Sequence, residues 1–145
     1  MTQDTPPVCQ ARHIDHVAIV VKDAAETLGF YRDTFGVSDA PIEEIADQGV
    51  LAALVAVGGT NLELIQPVRP DTGVARFLDS RGEALHHVCF EVEDLQETLD
   101  SLKGSGARLI DESPREGLAG MIAFIHPKST RGVLIELVDK DTVQS

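Results

Sequence analysis

Asp15-His16-Val17-Ala18-Ile19-Val20-Val21-Lys22-Asp23-Ala24-Ala25-Glu26-Thr27-Leu28 returns 71 positions later as His86-His87-Val88-Cys89-Phe90-Glu91-Val92-Glu93-Asp94-Leu95-Gln96-Glu97-Thr98-Leu99, with seven of the fourteen positions identical. Farther on, Gly59-Thr60-Asn61-Leu62-Glu63-Leu64 lines up with Gly132-Val133-Leu134-Ile135-Glu136-Leu137, so that Glu63 matches Glu136. Each copy therefore carries one histidine and one glutamate, 47 and 49 residues apart. The period is too long for a solenoid and fits a duplication. Two imidazoles and two carboxylates brought by the two copies outline a pseudo-symmetric metal site, because these are ligand types that divalent ions take. The repeat selects His16, Glu63, His87 and Glu136. His86 aligns with Asp15 rather than with a histidine, and a packing role or a backbone hydrogen bond is expected for it.

Working outward, His13 to Val21 is apolar and β-branched and stops at Lys22-Asp23, which reads as a buried strand. Asp23 with Glu26 has the form of a capping box, and Leu28, Tyr31 and Phe35 continue as a helical stripe to Gly36. Asp94 with Glu97, then Leu95, Leu99 and Leu102, repeats the device up to Gly104-Ser105-Gly106. Short strand-like runs follow each helix: Ala40–Ile45, Val50–Val57 and Asn61–Gln66, then Ala107–Asp111, Met121–Ile125 and Val133–Val138, separated by glycines. The unit is β-α-β-β-β, used twice, an α+β class. The two modules, 13–67 and 85–139, are expected to form a single domain over 13–139. A linker with a short helix, Val74 to Leu78, is expected to join them.

Side chains alternate across a strand, so Val17, Ile19 and Val21 share the greasier face and should meet the helices. The same holds for Val88, Phe90 and Val92, which turns His16 and His87 the other way. A glutamate inside Val133-Leu134-Ile135-Glu136-Leu137-Val138 is costly to bury unless something pairs with it, and a divalent cation would do so.

A formal charge of −12 argues against a nucleic-acid partner, which needs a basic footprint. An anionic substrate would need a local positive patch, for which Arg76, Arg81, Arg115, Lys128 and Arg131 are the candidates. Cys9 and Cys89 are expected to be reduced. With no run of eighteen apolar residues and no basic, apolar leader, the expectation is a soluble, cytoplasmic protein with no membrane partner. His13 reads as a surface residue and His126 as an even case. Glu43-Glu44 reads as a solvated strand edge, with a catalytic carboxylate as the minority reading. There is no Gly-x-Ser-x-Gly elbow, phosphate loop or dinucleotide glycine fingerprint.

The paired modules with His and Glu on equivalent strands resemble the vicinal oxygen chelate, or glyoxalase-like, superfamily. Within it the chain is similar to the methylmalonyl-CoA epimerase family in Asp15-His16-Val17-Ala18-Ile19, Asp47-Gln48-Gly49-Val50, Leu62-Glu63-Leu64-Ile65-Gln66-Pro67, Val74-Ala75-Arg76-Phe77-Leu78, His86-His87-Val88, Phe124-Ile125-His126-Pro127-Lys128-Ser129 and Gly132 through Leu137. The resemblance covers about residues 13 to 139 and implies two βαβββ modules forming a curved mixed sheet around a metal site. It implies His16, Glu63, His87 and Glu136 as the metal ligands, a divalent ion (Co first, with Mn, Ni, Mg or Zn as alternatives), an acyl-CoA substrate and a homodimer.

The implied chemistry is an isomerase's: epimerisation of (R)- and (S)-methylmalonyl-CoA through a metal-stabilised enolate, with Glu136 as one acid/base group. Two places depart from the family's pattern. The loop Gly117-Leu118-Ala119-Gly120-Met121 lacks a His and a following Lys and is one residue shorter. Ala52 stands where some members carry a glutamate proposed as an acid/base group, so the second such group is unassigned. The alternatives are a glyoxalase I-type lactoylglutathione lyase, which uses the same ligand pattern, and a non-catalytic small-molecule-binding protein of the same fold. An extradiol dioxygenase, which wants two His and one carboxylate, fits less well.

Overall fold

Both copies of the repeat pass from strand to helix at an aspartate, and in both that aspartate caps the helix. The computed structural model describes residues 5–141. By backbone contacts the chain divides into two compact units: residues 16–87 form one, and the described residues before 16 and after 87 form the other.

The unit of residues 16–87 holds most of β1 (His13–Val20), α1 (Ala24–Phe35), β2 (Ile42–Ile45), β3 (Val50–Val57), β4 (Thr60–Pro67), α2 (Gly73–Arg81) and the start of β5 (Ala84–Glu91). Its strands lie in the order β2-β3-β4-β1. β1 and β4 run parallel, with Ala18 opposite Glu63, and the other pairs are antiparallel. Asp23 Oδ1 accepts the Glu26 backbone N–H at 3.0 Å, and α1 closes at Gly36, whose φ of 69° is the left-handed value glycine adopts without strain. The inner face of α1, Ala24 and Leu28, packs on Val21, Val55 and Leu64 with Ile19 and Leu62 beside them. That is the greasy face expected from the alternation. The opposite face carries Ala18, Val50 and Ile65, against which Val74 of α2 packs. Gly49 turns the chain into β3 with a φ of 64°, and a Cβ there would stand 2.8 Å from Arg69 Nε. A side chain at Gly49 would therefore be both strained and crowded.

The second unit repeats the plan with β5, α3 (Leu95–Gly104), β6 (Arg115–Glu116), β7 (Met121–Ile125) and β8 (Ile135–Asp139), in the strand order β5-β8-β7-β6. β5 and β8 are parallel, with Cys89 opposite Glu136. Asp94 Oδ1 accepts the Glu97 N–H at 3.1 Å. Leu95 and Leu99 of α3 pack on Val92, Ala123, Ile125 and Leu137, while Cys89, Ile122 and Val138 form a separate cluster. Burying a leucine such as Leu99, which is fully enclosed, contributes about 1.5–3 kcal/mol.

Each unit also satisfies the first amide of its helix from afar. Gln66 Oε1 accepts from the Ala24 N–H at 2.9 Å, and Asp139 Oδ2 accepts from the Leu95 N–H at 3.1 Å. Gln66 and Asp139 each lie three residues beyond the repeat's glutamate.

The expected strand at Ala107–Asp111 does not form. Leu109 makes one isolated bridge to Ile125, and the amides of Ile110 and Asp111 both turn to the Phe124 carbonyl. The Asp111 carboxylate itself accepts the Phe124 N–H at 2.9 Å, so a side chain takes the place of a ladder partner. The short edge strand lies instead at β6, through Arg115 opposite Ile122 and Glu116 opposite Met121. β8 begins at Ile135 rather than Val133, because the Gly132 amide turns back to the Pro127 carbonyl. The helix expected at Val74–Leu78 is longer, with Thr72 as its N-cap. Cys9 and Cys89 are both outside any disulfide, and among the described residues no helix is long and apolar enough to cross a membrane.

Candidate metal centre

Three of the four residues that the repeat selected lie within residues 16–87, and there they converge. His16 shares a strand face with Ala18, the register partner of Glu63. His87 comes from the first half of β5. His16 Nε2 lies 3.3 Å from His87 Nε2, and the two nitrogens stand 3.5 and 3.6 Å from Glu63 Oε1. The three residues are 6, 5 and 8% exposed.

These separations fit a common cation. Two donors each about 2.0–2.2 Å from one ion stand about 2.8–3.6 Å apart for angles between octahedral and tetrahedral. An oxygen–nitrogen distance of 3.5 or 3.6 Å is at or beyond the long limit for a hydrogen bond. With their lone pairs turned toward one another, two ring nitrogens and a carboxylate oxygen this close in a buried place repel, and a positive ion between them reverses the sign of that interaction.

Glu136 belongs to the other unit. It is 5% exposed on β8, opposite Cys89, the position that corresponds through the repeat to Ala18 opposite Glu63.

The remaining candidates have other roles. His13 is half exposed, with Nε2 3.5 Å from Glu91 Oε1. His126 caps a 3-10 turn: its Nδ1 accepts the Lys128 N–H at 3.0 Å, and desolvation, then the charges of Arg108 and Lys128, hold the imidazole pKa below its usual value. Arg115 pairs with Asp111 at 3.2 Å and lies over the Phe124 ring, whereas Arg76 and Arg81 sit exposed on α2. Ala52 is 1% exposed, and its register partner on β2 is Glu43, which is exposed.

His86 packs edge-on against Phe77, the packing role expected for it, and its Nδ1 also lies 2.8 Å from His87 Nδ1, the ring of a candidate ligand. Adjacent strand residues point to opposite faces, and spacing alone gives no signal for this contact.

Residues 15–124 match the Glyoxalase/Bleomycin resistance protein/Dioxygenase superfamily. The chain is 35% identical to the ethylmalonyl-CoA/methylmalonyl-CoA epimerase of Cereibacter sphaeroides, over 86% of this chain and 95% of the relative. The crystal structure of methylmalonyl-CoA epimerase from Mycobacterium tuberculosis superposes with a TM-score of 0.87 at 34% identity, over 97% of this chain and 95% of that one. A methylmalonyl-CoA epimerase solved in complex with methylmalonyl-CoA and NH4+ gives a TM-score of 0.86 at 34% identity, over 94% of this chain and 99% of the other.

Proposed function

Since this chain belongs to the Glyoxalase/Bleomycin resistance protein/Dioxygenase superfamily, and within it to the methylmalonyl-CoA epimerase family, we propose that it interconverts the epimers of a 2-methylmalonyl thioester at a divalent-metal site. The observation that carries the reading is the convergence of His16 Nε2, His87 Nε2 and Glu63 Oε1 within 3.6 Å of one another. Glu136 is the fourth ligand in this reading, on the strength of its repeat equivalence to Glu63 and its burial.

The α-carbon of the substrate lies between a thioester and a carboxylate, and its deprotonation leaves an enolate whose negative charge rests mainly on the thioester oxygen, beside the already anionic carboxylate. A divalent cation held by these four residues would supply Lewis-acid stabilisation of that charge. The chain's own side chains must then remove a proton on one face and return it on the other. Glu136 takes one of these steps. For the other step the reading takes Glu43: antiparallel register partners project to the same side, so Glu43 stands on the face of Ala52, where some relatives carry the carboxylate this chain lacks. The homodimer and the cytoplasmic location remain part of the same proposal, carried by the family resemblance. Co is its first choice of ion.

The test follows the α-proton of methylmalonyl-CoA by NMR in deuterated water, with added Co and with chelator, against spontaneous exchange. Metal-dependent exchange from both epimers is expected, and Glu43→Gln is expected to slow one epimer by about 100-fold or more while sparing the other. Equal rates with ion and with chelator overturn the reading. Turnover of methylglyoxal with glutathione in the same preparation would then assign the chain to lyase chemistry.

A further inference from the structure

His87 has two ring nitrogens with different neighbours. Nε2 faces His16 and Glu63, while Nδ1 lies 2.8 Å from Nδ1 of His86. A nitrogen–nitrogen hydrogen bond of that length needs one protonated and one bare partner. If His87 Nδ1 carries the hydrogen, Nε2 is left with the lone pair that a metal requires. If His86 Nδ1 carries it, a neutral His87 has its hydrogen on Nε2, aimed at the place where a ligand lone pair is needed. The adjacent ring therefore couples directly to which nitrogen of His87 can coordinate.

His86 is itself held. It is half-buried, and its ring meets Phe77 of α2 edge-on, with centroids 4.8 Å apart and planes at 76°. The Arg81 guanidinium, one turn later on the same helix, lies 5.5 Å from the Phe77 ring centre. Its ring also stands edge-on to His87, at 5.1 Å and 76°. A ring fixed on one side by an aromatic contact and on the other by a hydrogen bond has little freedom to present a different atom.

We propose that His86 is a positioning residue that accepts the Nδ1–H of His87 and so fixes His87 in the tautomer with Nε2 bare and directed toward Glu63 and His16. Ligand histidines generally donate their second nitrogen to a carboxylate, a carbonyl or water. Here a second imidazole takes that place, supplied by the next residue along the strand and backed by α2. The inference rests on His87 being a metal ligand, as in the functional reading above.

The test uses the full-length protein, 15N-labelled and stripped of metal, with two-bond 1H–15N correlations of the histidine rings. Titration with Co follows. Wild type is expected to show His87 with Nδ1 protonated and Nε2 bare. His86→Phe keeps a ring against Phe77 but removes the acceptor. It is expected to give a mixed His87 tautomer and to weaken the Co Kd by about 10- to 100-fold. His86→Asn, whose amide oxygen accepts near the old Nδ1 position, is expected to restore both. A wild-type His87 tautomer and a Co Kd within about twofold of wild type in His86→Phe, where losing the partner of a ligand histidine costs at least about 10-fold, overturns the proposal. Failure of the metal reading would look different: a flat titration in the wild-type protein itself.

Discussion

At the position just before each candidate ligand histidine, the first copy carries Asp15 and the second carries His86. Asp15 is buried, with 1% exposed, and meets the Lys140 ammonium at 2.5 Å; that contact, foremost, raises the lysine's pKa above its usual value. His86 meets the neighbouring ligand ring and α2. The same backbone slot thus serves an ion pair in one copy and, in our proposal, the orientation of a candidate ligand in the other. The capping side chains diverge in the same manner. Gln66 offers an amide oxygen to α1, and Asp139, 3% exposed, offers a carboxylate to α3. Duplication has kept the ligand-type residues and the strand-helix junction, while the residues beside them have been free to specialise.

The sharpest way to break the comparison is to remove one ligand from each copy. Glu63→Ala and Glu136→Ala should each abolish metal-dependent exchange and weaken Co binding by more than about 100-fold, beyond what losing a residue behind a ligand costs, with circular dichroism unchanged. Calorimetry checks it, and wild-type affinity in either variant would show that the copies do not contribute alike. The next largest effect concerns the cores. Leu28→Ala and Leu99→Ala remove repeat-equivalent buried side chains, and each should destabilise by about 2–5 kcal/mol in urea unfolding. A difference much above 1 kcal/mol would mean that one unit collapses around the cavity and the other does not.

The smallest effect separates the caps. Asp23→Ala should cost about 1 kcal/mol. Asp94 sits at φ 43°, whereas Asp23 is extended at φ −144°, so Asp94→Ala adds a left-handed penalty of about 1–2 kcal/mol. Asp94→Gly should recover most of that addition. Equal losses for the two alanine variants, read by thermal melts, would remove the asymmetry.

The strand-helix junctions were legible because their signals are local: a β-branched run, an aspartate three residues before a glutamate, and a glycine at the end of α1. The four His and Glu candidates were legible because the repeat carries them at equivalent positions. The region from Ala107 to Asp111 was not, since it has the composition of a strand. Its backbone partners are instead decided by the Asp111 side chain competing for the Phe124 amide. β6 was missed for the opposite reason: Arg115-Glu116 has no apolar alternation, and only the neighbouring β7 makes it a strand.

The amino-acid order by itself determined the duplication, the two β-α-β-β-β plans and the four His and Glu candidates, because identity at a fixed offset and apolar periodicity are properties of the chain. Only the tertiary structure decided that His16, Glu63 and His87 meet within 3.6 Å, since that depends on the parallel register of β1 with β4 and on where β5 begins. It alone decided the use of His86 as well. A ring's partner is set by its rotamer and by the helix packed against it, and neither is written in the spacing of residues along a strand.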